Sequence, residues 1–418
     1  MNVREVRRLL RIQVPAAGRT RRVLMSCHST SDFRVAARRR LPRAVFDYLD
    51  GGADDEISLA ENRAAFARWS FHPDVLRDVA RVDMSTEIFG RRLAAPLGLA
   101  PTGYTRMVHP AGELAVAAGS SRAALPYVLS TVGTTSIEEL AATGHPELWF
   151  QLYVLRDRGL TRSLVERASS SGYRALEISV DTAVAGRRLR DVRNGFTIPP
   201  CLTPRTVIDI ARHPRYWTEM LRGPALEFAN LGIHDIAGAA ASIENVSEMF
   251  DPSLTWDDVG AIRDWWKGPL LLKGPLRPED ARRAIHSGVD GVHQSNHGGR
   301  QLDRSVAPIE LVRPVRDAIG DRAVIVVDSG IRGGPDIVVA LARGADLCMI
   351  GRAYLYGLAS AGRQGVQRVL ELLMDEVRRS MQLLGISTLA ELGSRADELV
   401  RRSPGVVQTS LPRRGATA

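Results

Sequence analysis

The chain has 418 residues, of which 25% are charged and 44% are apolar, a composition typical of soluble globular proteins. This length is enough for an α/β barrel, which usually takes about 250 residues as one domain. Since no run of about 18 apolar residues occurs, the sequence predicts no membrane-spanning helix.

The formal net charge of +9 is concentrated at the two ends of the chain. Residues 1–28 carry +6 and residues 401–418 carry +4, so residues 29–400 carry −1. We therefore predict no nucleic-acid partner and expect two basic, disordered tails around one domain of residues 29–400. Two alternatives stay open for the tails: attachment to an anionic membrane surface, at about 1 kcal/mol per Arg, and a mitochondrial-type presequence at the amino terminus.

The three cysteines, Cys27, Cys201 and Cys348, are widely separated and share no metal-ligand spacing. Their odd number argues against a disulfide framework and for a reducing compartment. The sequence therefore predicts a cytoplasmic protein without a metal site.

The first hundred residues predict a helical extension followed by a hairpin. The first helix is capped by Ser31 or Asp32 and ends at Arg40. Further helices are predicted at 41–50, before Gly51-Gly52, and at 54–69, and a short strand and a hairpin around Phe89-Gly90 are predicted within 71–95.

From residue 97 onward, eight short apolar runs alternate with helix-like segments. The runs are residues 97–101, 127–131, 148–153, 175–181, 270–274, 291–295, 323–328 and 346–350. This alternation predicts a single closed (β/α)8 TIM barrel, with a long insertion that contains a lid after the fourth strand. The alternative is an open doubly wound sheet, but the G-x-G-x-x-G fingerprint is missing after the first strand.

Polar residues or glycines follow nearly every strand of the predicted barrel. They are Thr102 and Gly103, Ser130, Gln151 and Tyr153, Ser179 and Asp181, Lys273, Ser295 and His297, Asp328, Gly351 and Arg352. Because the carboxyl ends of barrel strands converge on one face, we expect a site for a polar ligand there.

The loop after the sixth strand, Ser295-Asn296-His297-Gly298-Gly299-Arg300, concentrates reactive groups. His297 can take a proton near neutral pH, and Arg300 can hold a carboxylate through two parallel N–H groups. An ordinary strand cap is the simpler interpretation of a lone His-Gly-Gly, but the other strand ends favour a functional site.

The sequence resembles the family of FMN-dependent 2-hydroxy-acid oxidases and dehydrogenases, which includes glycolate oxidase, mandelate dehydrogenase and quinone-linked L-lactate dehydrogenase. The resemblance covers about residues 31–400. It lies in residues 46–53, 100–103, 149–153, 180–182, 186–191, 272–274, 295–303, 328–332 and 350–352. Residues 191–195 and 212–217 most resemble the bacterial L-lactate dehydrogenases.

The resemblance implies that FMN takes two electrons from a lactate-like L-2-hydroxy acid, which becomes a 2-oxo acid, and passes them to quinone or another acceptor. One alternative is an oxygen-using oxidase for a larger aryl or biosynthetic substrate. Another is a non-catalytic flavin-binding regulatory protein. The family also implies a symmetric oligomer, by default a homotetramer, and in some relatives the region of residues 201–254 contacts the inner face of the membrane.

The resemblance also assigns the substrate residues. His297 is the expected base, Asp181 supports its charged form, Tyr153 bonds the substrate oxygen, and Tyr48, Arg188 and Arg300 hold the carboxylate. Gly103 and Val132 shape the pocket, where typical oxidases carry alanine and some carry tryptophan. The glycine resembles dehydrogenase members and indicates slow reaction with oxygen.

For FMN, the resemblance places Lys273 beside N1 and O2 of the ring, which stabilises the reduced anionic form. The other expected cofactor residues are Ala100, Pro101, Thr102, Ser130, Gln151, Ser179 and Ser295 around the ring, Asp328 at the ribityl hydroxyls, and Gly330, Arg332, Gly351 and Arg352 at the phosphate.

His293 and Gln294 interrupt an otherwise apolar strand. Buried polar groups need hydrogen-bond partners, so we expect these two side chains to bond each other or a water molecule. The pair is also consistent with an unusual substrate or a biosynthetic role.

Overall fold

The structure is a computed structural model that describes residues 18–194, 204–231 and 248–403. Within these residues the strands are β1 Trp69–Phe71, β2 Thr86–Ile88, β3 Arg91–Leu93, β4 Leu97–Leu99, β5 Tyr127–Ser130, β6 Leu148–Leu152, β7 Ala175–Ser179, β8 Leu270–Gly274, β9 Gly291–Gln294, β10 Val324–Val327, β11 Leu347–Ile350 and β12 Val400–Arg402. The α-helices are α1 Arg19–Ser26, α2 Thr30–Arg40, α3 Arg43–Asp50, α4 Ile57–Ala64, α5 Thr105–Val108, α6 Gly112–Ser120, α7 Ile137–Ala141, α8 Arg158–Ser170, α9 Leu189–Arg193, α10 Pro204–Arg212, α11 Pro214–Arg222, α12 Trp256–Trp265, α13 Pro278–His286, α14 Pro308–Ile319, α15 Gly334–Ala342, α16 Arg352–Leu384, α17 Leu389–Ser394 and α18 Ala396–Leu399.

Eight parallel strands, β4 to β11, close into a barrel. Strand β4 pairs with β11 through Leu97 and Cys348, and β10 pairs with both β9 and β11, so this sheet has no free edge. The closure confirms the predicted (β/α)8 barrel and excludes the open sheet. All eight predicted strands are present because each is an apolar run that can be buried on both of its faces.

The amino-terminal extension is helical, as predicted, but two of its boundaries were predicted wrongly. Ser29 caps α2 by accepting from the backbone N–H of Asp32, so neither Ser31 nor Asp32 is the cap. The helix predicted at 54–69 is shortened to α4, because Asp54 and Glu56 have φ angles of 41° and 62° that no α-helix allows. The predicted hairpin is present as β2 and β3.

The folded body extends beyond the predicted limits of residues 29 and 400. Helix α1 lies inside the predicted tail, where Val23 and Leu24 pack against the core and Cys27 is buried. At the other end, β12 pairs antiparallel with β1. Charge counts placed the boundaries wrongly because an Arg-rich segment can still bury its few apolar side chains. The rest of both predicted tails, and Cys201, lie outside the described residues.

The predicted insertion after β7 packs on the barrel. Helices α10 and α11 belong to it, and the Tyr216 hydroxyl in α11 donates to the Met107 carbonyl at 2.8 Å. Glu219 of the same helix forms an ion pair with Arg40. Residues 195–203 and 232–247 of the insertion lie outside the described part. None of the described helices is long and apolar enough to cross a membrane.

Candidate active site

A cavity with about 1300 Å³ of empty space, including its open mouth, lies at the carboxyl ends of the barrel strands. It brings together most of the predicted site residues: Tyr48, Ala100, Pro101, Thr102, Gly103, Val132, Tyr153, Arg188, Lys273, His297, Arg300, Asp328, Gly330, Arg332, Gly351 and Arg352. These residues are up to about three hundred positions apart in sequence and meet because parallel barrel strands end on the same face.

His297 sits in a conformation that L-residues rarely adopt. Its φ angle is 55°, and those of Gly298 and Gly299 are 68° and 75°, so the chain makes three consecutive left-handed steps. The Ser295 hydroxyl accepts from the His297 backbone N–H at 3.1 Å, and the Ser329 hydroxyl accepts from the Gly298 N–H at 3.0 Å. Strain of this kind at a non-glycine residue is characteristic of functional sites, because the surrounding bonds must maintain it.

The imidazole of His297 lies between a carboxylate and a phenol. Its Nδ1 is 2.7 Å from Asp181 Oδ2, and its Nε2 is 3.1 Å from the Tyr153 hydroxyl. Since a carboxylate can only accept, Nδ1 carries a proton, and Nε2 is the nitrogen that can take one from a ligand. The carboxylate then stabilises the imidazolium that forms.

Tyr153 is held as a neutral hydrogen-bond donor. Burial, and next the negative charge of Asp181, raise the pKa of its hydroxyl well above the usual value. Its ring stacks on Phe250 with a centroid distance of 4.4 Å. Tyr153 can therefore position a ligand oxygen near His297 without competing with it for the role of base.

Arg300 lines the cavity and is anchored on one side. Its Nη1 donates to the backbone carbonyls of Tyr48 and Gly51 at 2.6 and 3.0 Å, and the Tyr48 side chain also bonds the guanidinium. A guanidinium group can present two parallel N–H bonds to a carboxylate, so Arg300 can bind one that enters the cavity. Burial, and next the charge of Arg188, lower the pKa of Arg300, so an anion between the two arginines would relieve their repulsion.

Arg188 differs from Arg300 because it already has an acidic partner. Its Nε lies 2.8 Å from Asp191 Oδ2. Both guanidinium groups face the ring of Tyr48, at 5.6 Å for Arg188 and 4.8 Å for Arg300. The two arginines of the predicted clamp therefore differ: Arg188 forms a direct ion pair with Asp191, whereas Arg300 donates to backbone carbonyls.

A buried ammonium group, that of Lys273, also lines the cavity. Lys273 Nζ donates to the Ser295 hydroxyl at 2.9 Å and is 3.6 Å from Asp328 Oδ2. The other Asp328 oxygen, Oδ1, accepts from the Ser329 hydroxyl at 2.7 Å. The lysine keeps further N–H donors for a ligand with polar ring atoms.

The predicted phosphate end contains Gly330, Arg332 and the beginning of α16. The first backbone N–H groups of a helix have no partner within the helix and attract anions. The guanidinium of Arg352, however, donates to the carbonyls of Leu49, Gly51 and Gly298. Burial, and next the charge of Arg300, lower the pKa of Arg352 to about 9. Its side chain thus mainly ties three loops together, and only two of its five N–H groups remain for an anion.

Five predicted residues do not line this cavity and lie beneath or beside its wall: Ser130, Gln151, Ser179, Asp181 and Ser295. Gln151 accepts from the Ser130 hydroxyl at 2.9 Å and donates to the Ser179 hydroxyl at 3.0 Å. These three side chains therefore form a hydrogen-bonded chain, and their direct contact with FMN stays a prediction.

Sequence reasoning missed three aromatic residues of the cavity wall, Tyr104, Phe228 and Phe250. Tyr104 packs edge-on against Phe228 with a centroid distance of 4.4 Å. Its position directly after Gly103, at a strand end, was a usable signal. Phe228 and Phe250 belong to the long insertion, where no periodic pattern distinguishes a wall residue from any other.

The family model of FMN-dependent dehydrogenases matches residues 37–399. A putative L-lactate dehydrogenase of Mycobacterium tuberculosis is 45% identical over 401 residues, which is 96% of each chain. The L-lactate dehydrogenase of Caulobacter vibrioides is 43% identical over 377 residues, covering 88% of this chain and 97% of that one.

Solved structures of 2-hydroxy-acid dehydrogenases and oxidases are also similar to this chain. The monotopic membrane protein (S)-mandelate dehydrogenase superimposes with a TM-score of 0.85 at 38% identity, covering 90% of this chain and all of that chain. A mandelate oxidase variant with (S)-mandelic acid gives a TM-score of 0.77 at 38% identity, covering 91% of this chain and 100% of that one.

Proposed function

The chain belongs to the family of FMN-dependent dehydrogenases, and from this premise we propose that it oxidises a lactate-like L-2-hydroxy acid to the 2-oxo acid. Its cofactor is FMN and its reaction class is the oxidation of 2-hydroxy acids. The hypothesis of a non-catalytic regulatory protein is therefore not retained.

The residues present fit this cofactor. Lys273 points a buried ammonium into the cavity, Asp328 lines the same wall, and Arg332 lies at its far end with the start of α16. Bound FMN would meet the lysine at the polar edge of its ring, the carboxylate at its ribityl hydroxyls, and the arginine at its phosphate. When bound, FMN supplies the two-electron acceptor that no side chain provides.

The observation that carries the proposal is the position of His297 between Asp181 and Tyr153, at the same cavity as the buried guanidinium of Arg300. The substrate carboxylate would bind Arg300, with Tyr48 and Arg188 beside it. Tyr153 would donate to the substrate oxygen, and His297 Nε2 would take a proton while Asp181 stabilises the resulting charge.

A larger substrate is the second candidate, because the cavity wall is aromatic. The cavity that Val132 lines is also lined by three aromatic residues, Tyr104, Phe228 and Phe250. Residue 132 itself is valine, so no tryptophan takes up space there. An aryl side chain would bury more apolar area there than the methyl group of lactate does. Similarity to mandelate dehydrogenase is consistent with this candidate.

Anaerobic titration of the purified yellow protein separates the candidates. We expect L-lactate or L-mandelate to bleach the flavin absorbance, whereas D-lactate, the stereochemical control, leaves it unchanged. Glycolate tests whether any side chain is needed. The absence of bleaching with every 2-hydroxy acid would contradict the proposal, and peroxide formation in air would favour oxygen over quinone as the acceptor.

We also propose a cytoplasmic homotetramer that contacts the inner face of the membrane through the insertion. Leu221 is exposed at the end of α11, next to Arg222 and close to Arg215. An apolar side chain among arginines suits an anionic lipid surface. Sedimentation velocity would give the oligomer. Co-sedimentation with anionic but not neutral vesicles is expected, and equal behaviour with both would contradict the membrane contact.

A further inference from the structure

His293 and Gln294, adjacent on β9, do not bond each other, so the first of the two predicted arrangements is wrong. Successive residues of a strand point to opposite faces. Gln294 points outward and donates from Nε2 to the Leu276 carbonyl at 3.1 Å. His293 points into the barrel, where its partners come from other strands.

Inside the barrel, His293 belongs to a line of four charged groups of alternating sign. Its Nδ1 is 3.0 Å from Glu177 Oε1, and its Nε2 is 3.2 Å from Asp328 Oδ2. The same Asp328 oxygen is 3.6 Å from Lys273 Nζ. Glu177 and His293 have no exposed surface, and Lys273 and Asp328 are nearly as buried. The line starts deep in the core and ends at the cavity wall.

The charged groups in this line stabilise one another's ionised forms. Burial would lower the pKa of His293, but Glu177 and next Asp328 overcome that effect and raise it. Burial would likewise raise the pKa of Asp328, but Lys273 and next His293 hold it well below its usual value. Each ring nitrogen of His293 faces a carboxylate oxygen, an arrangement that favours the imidazolium, and the Asp328 carboxylate lies between two basic groups.

Stability of the fold does not explain this arrangement. Buried ion pairs gain little over well-packed apolar residues of similar size, because removing the charges from water costs several kcal/mol per ion. Glu177 Oε2 also has no hydrogen-bond partner. Four of the other interior residues of β7 to β11 are Ala175, Leu271, Val326 and Met349, so apolar side chains would suit this position.

We propose that Glu177 and His293 are positioning residues that hold the Asp328 carboxylate partly away from Lys273, so that the lysine charge remains available to the FMN ring. The imidazole of His293 lies within ion-pair distance of the carboxylate oxygen that faces the lysine and attracts it by charge, while the hydrogen bond to Glu177 holds the imidazole in place. The proposal concerns the cofactor and does not depend on which 2-hydroxy acid is the substrate.

Among the residues that the structure describes, loss of His293 would leave Lys273 as the one cation paired with Asp328. The two groups, now 3.6 Å apart, would close into a direct pair, and the ammonium would withdraw from the ring. The flavin would then have less positive charge near its polar edge, and Asp328 would turn away from the ribityl chain. Both changes can be measured without turnover.

The decisive variant replaces both positioning residues with apolar ones, Glu177→Leu with His293→Leu. It removes one negative and one positive charge together, so no single buried charge is left unpaired. His293→Gln is the second variant, because glutamine keeps a polar side chain of similar size but carries no charge. Gln294→Leu is the matched control: it makes a buried polar-to-apolar change on the same strand but on the outer face.

Two readouts on the holoenzymes test the proposal. Sulfite adds to oxidised flavin and leaves negative charge on the ring, so its dissociation constant reports the positive charge nearby. The rate of FMN release on dilution, monitored by flavin fluorescence, reports how strongly Asp328 binds the cofactor. Circular dichroism and thermal unfolding verify the fold of each variant.

We expect sulfite affinity to fall about tenfold in both the double variant and His293→Gln, with faster FMN release in the double variant and no change in Gln294→Leu. If the double variant does not fold, the sulfite affinity of His293→Gln alone tests the proposal. Wild-type sulfite affinity in every folded variant of the pair would overturn the proposal, whatever happens to thermal stability, and would leave Glu177 and His293 a purely structural pair.

Discussion

Replacing His297 with alanine is expected to lower kcat by about three to four orders of magnitude while FMN stays bound. In the structure this imidazole is the group whose Nε2 faces the cavity while Asp181 holds its Nδ1. Without it, the substrate loses the ring nitrogen that lies within hydrogen-bond distance of the Tyr153 hydroxyl. Steady-state kinetics give the rate, and the flavin spectrum of the purified variant verifies that the cofactor is retained.

Two further variants serve as comparisons for the expected loss of kcat in His297→Ala. Tyr153→Phe removes one neutral hydrogen bond to the imidazole but keeps the stacking on Phe250, so kcat should fall only about tenfold. His286→Ala, at the exposed end of α13, should leave the rate unchanged. A His297→Ala enzyme with a rate near that of the wild type would remove His297 from the mechanism.

The second large effect is expected for Arg300→Lys, which should raise KM for the hydroxy acid by about a hundredfold. A charged hydrogen bond contributes about 1.5–3 kcal/mol, and lysine cannot form the paired bonds of a guanidinium group. The substitution also loses donors to the Tyr48 and Gly51 carbonyls, which fix the orientation of the side chain. Saturation curves for the acid measure the change.

The matched control is Arg188→Lys, which should raise KM less, because Arg188 already pairs with Asp191. A neutral ester of the same substrate offers a further comparison, since the KM of the ester should hardly respond to Arg300→Lys. If the saturation curve for the acid is unchanged in Arg300→Lys, the assignment of this residue to the substrate carboxylate is wrong.

The sequence allowed the barrel and the strand-end residues to be predicted because both follow from local patterns. Each strand is a short apolar run, and a parallel strand buried on both faces requires nothing else. The site loop was identifiable because His297, Gly298 and Gly299 interrupt such a run with residues that suit left-handed backbone and proton transfer. Helix limits were less accurate, as α1 and α4 show, since burial of a few side chains decides them.

What the sequence alone determined is the fold, the cofactor class and the set of polar groups at one end of the barrel. Only the tertiary structure decided which of them remain available to a ligand. Only one guanidinium nitrogen of Arg300 donates to backbone carbonyls, whereas Arg352, which also follows a barrel strand, donates to three carbonyls from all three of its nitrogens. Likewise, Glu177 meets His293 although 116 positions separate them. Such pairings depend on distances across the closed barrel, and no local pattern of residues encodes those distances.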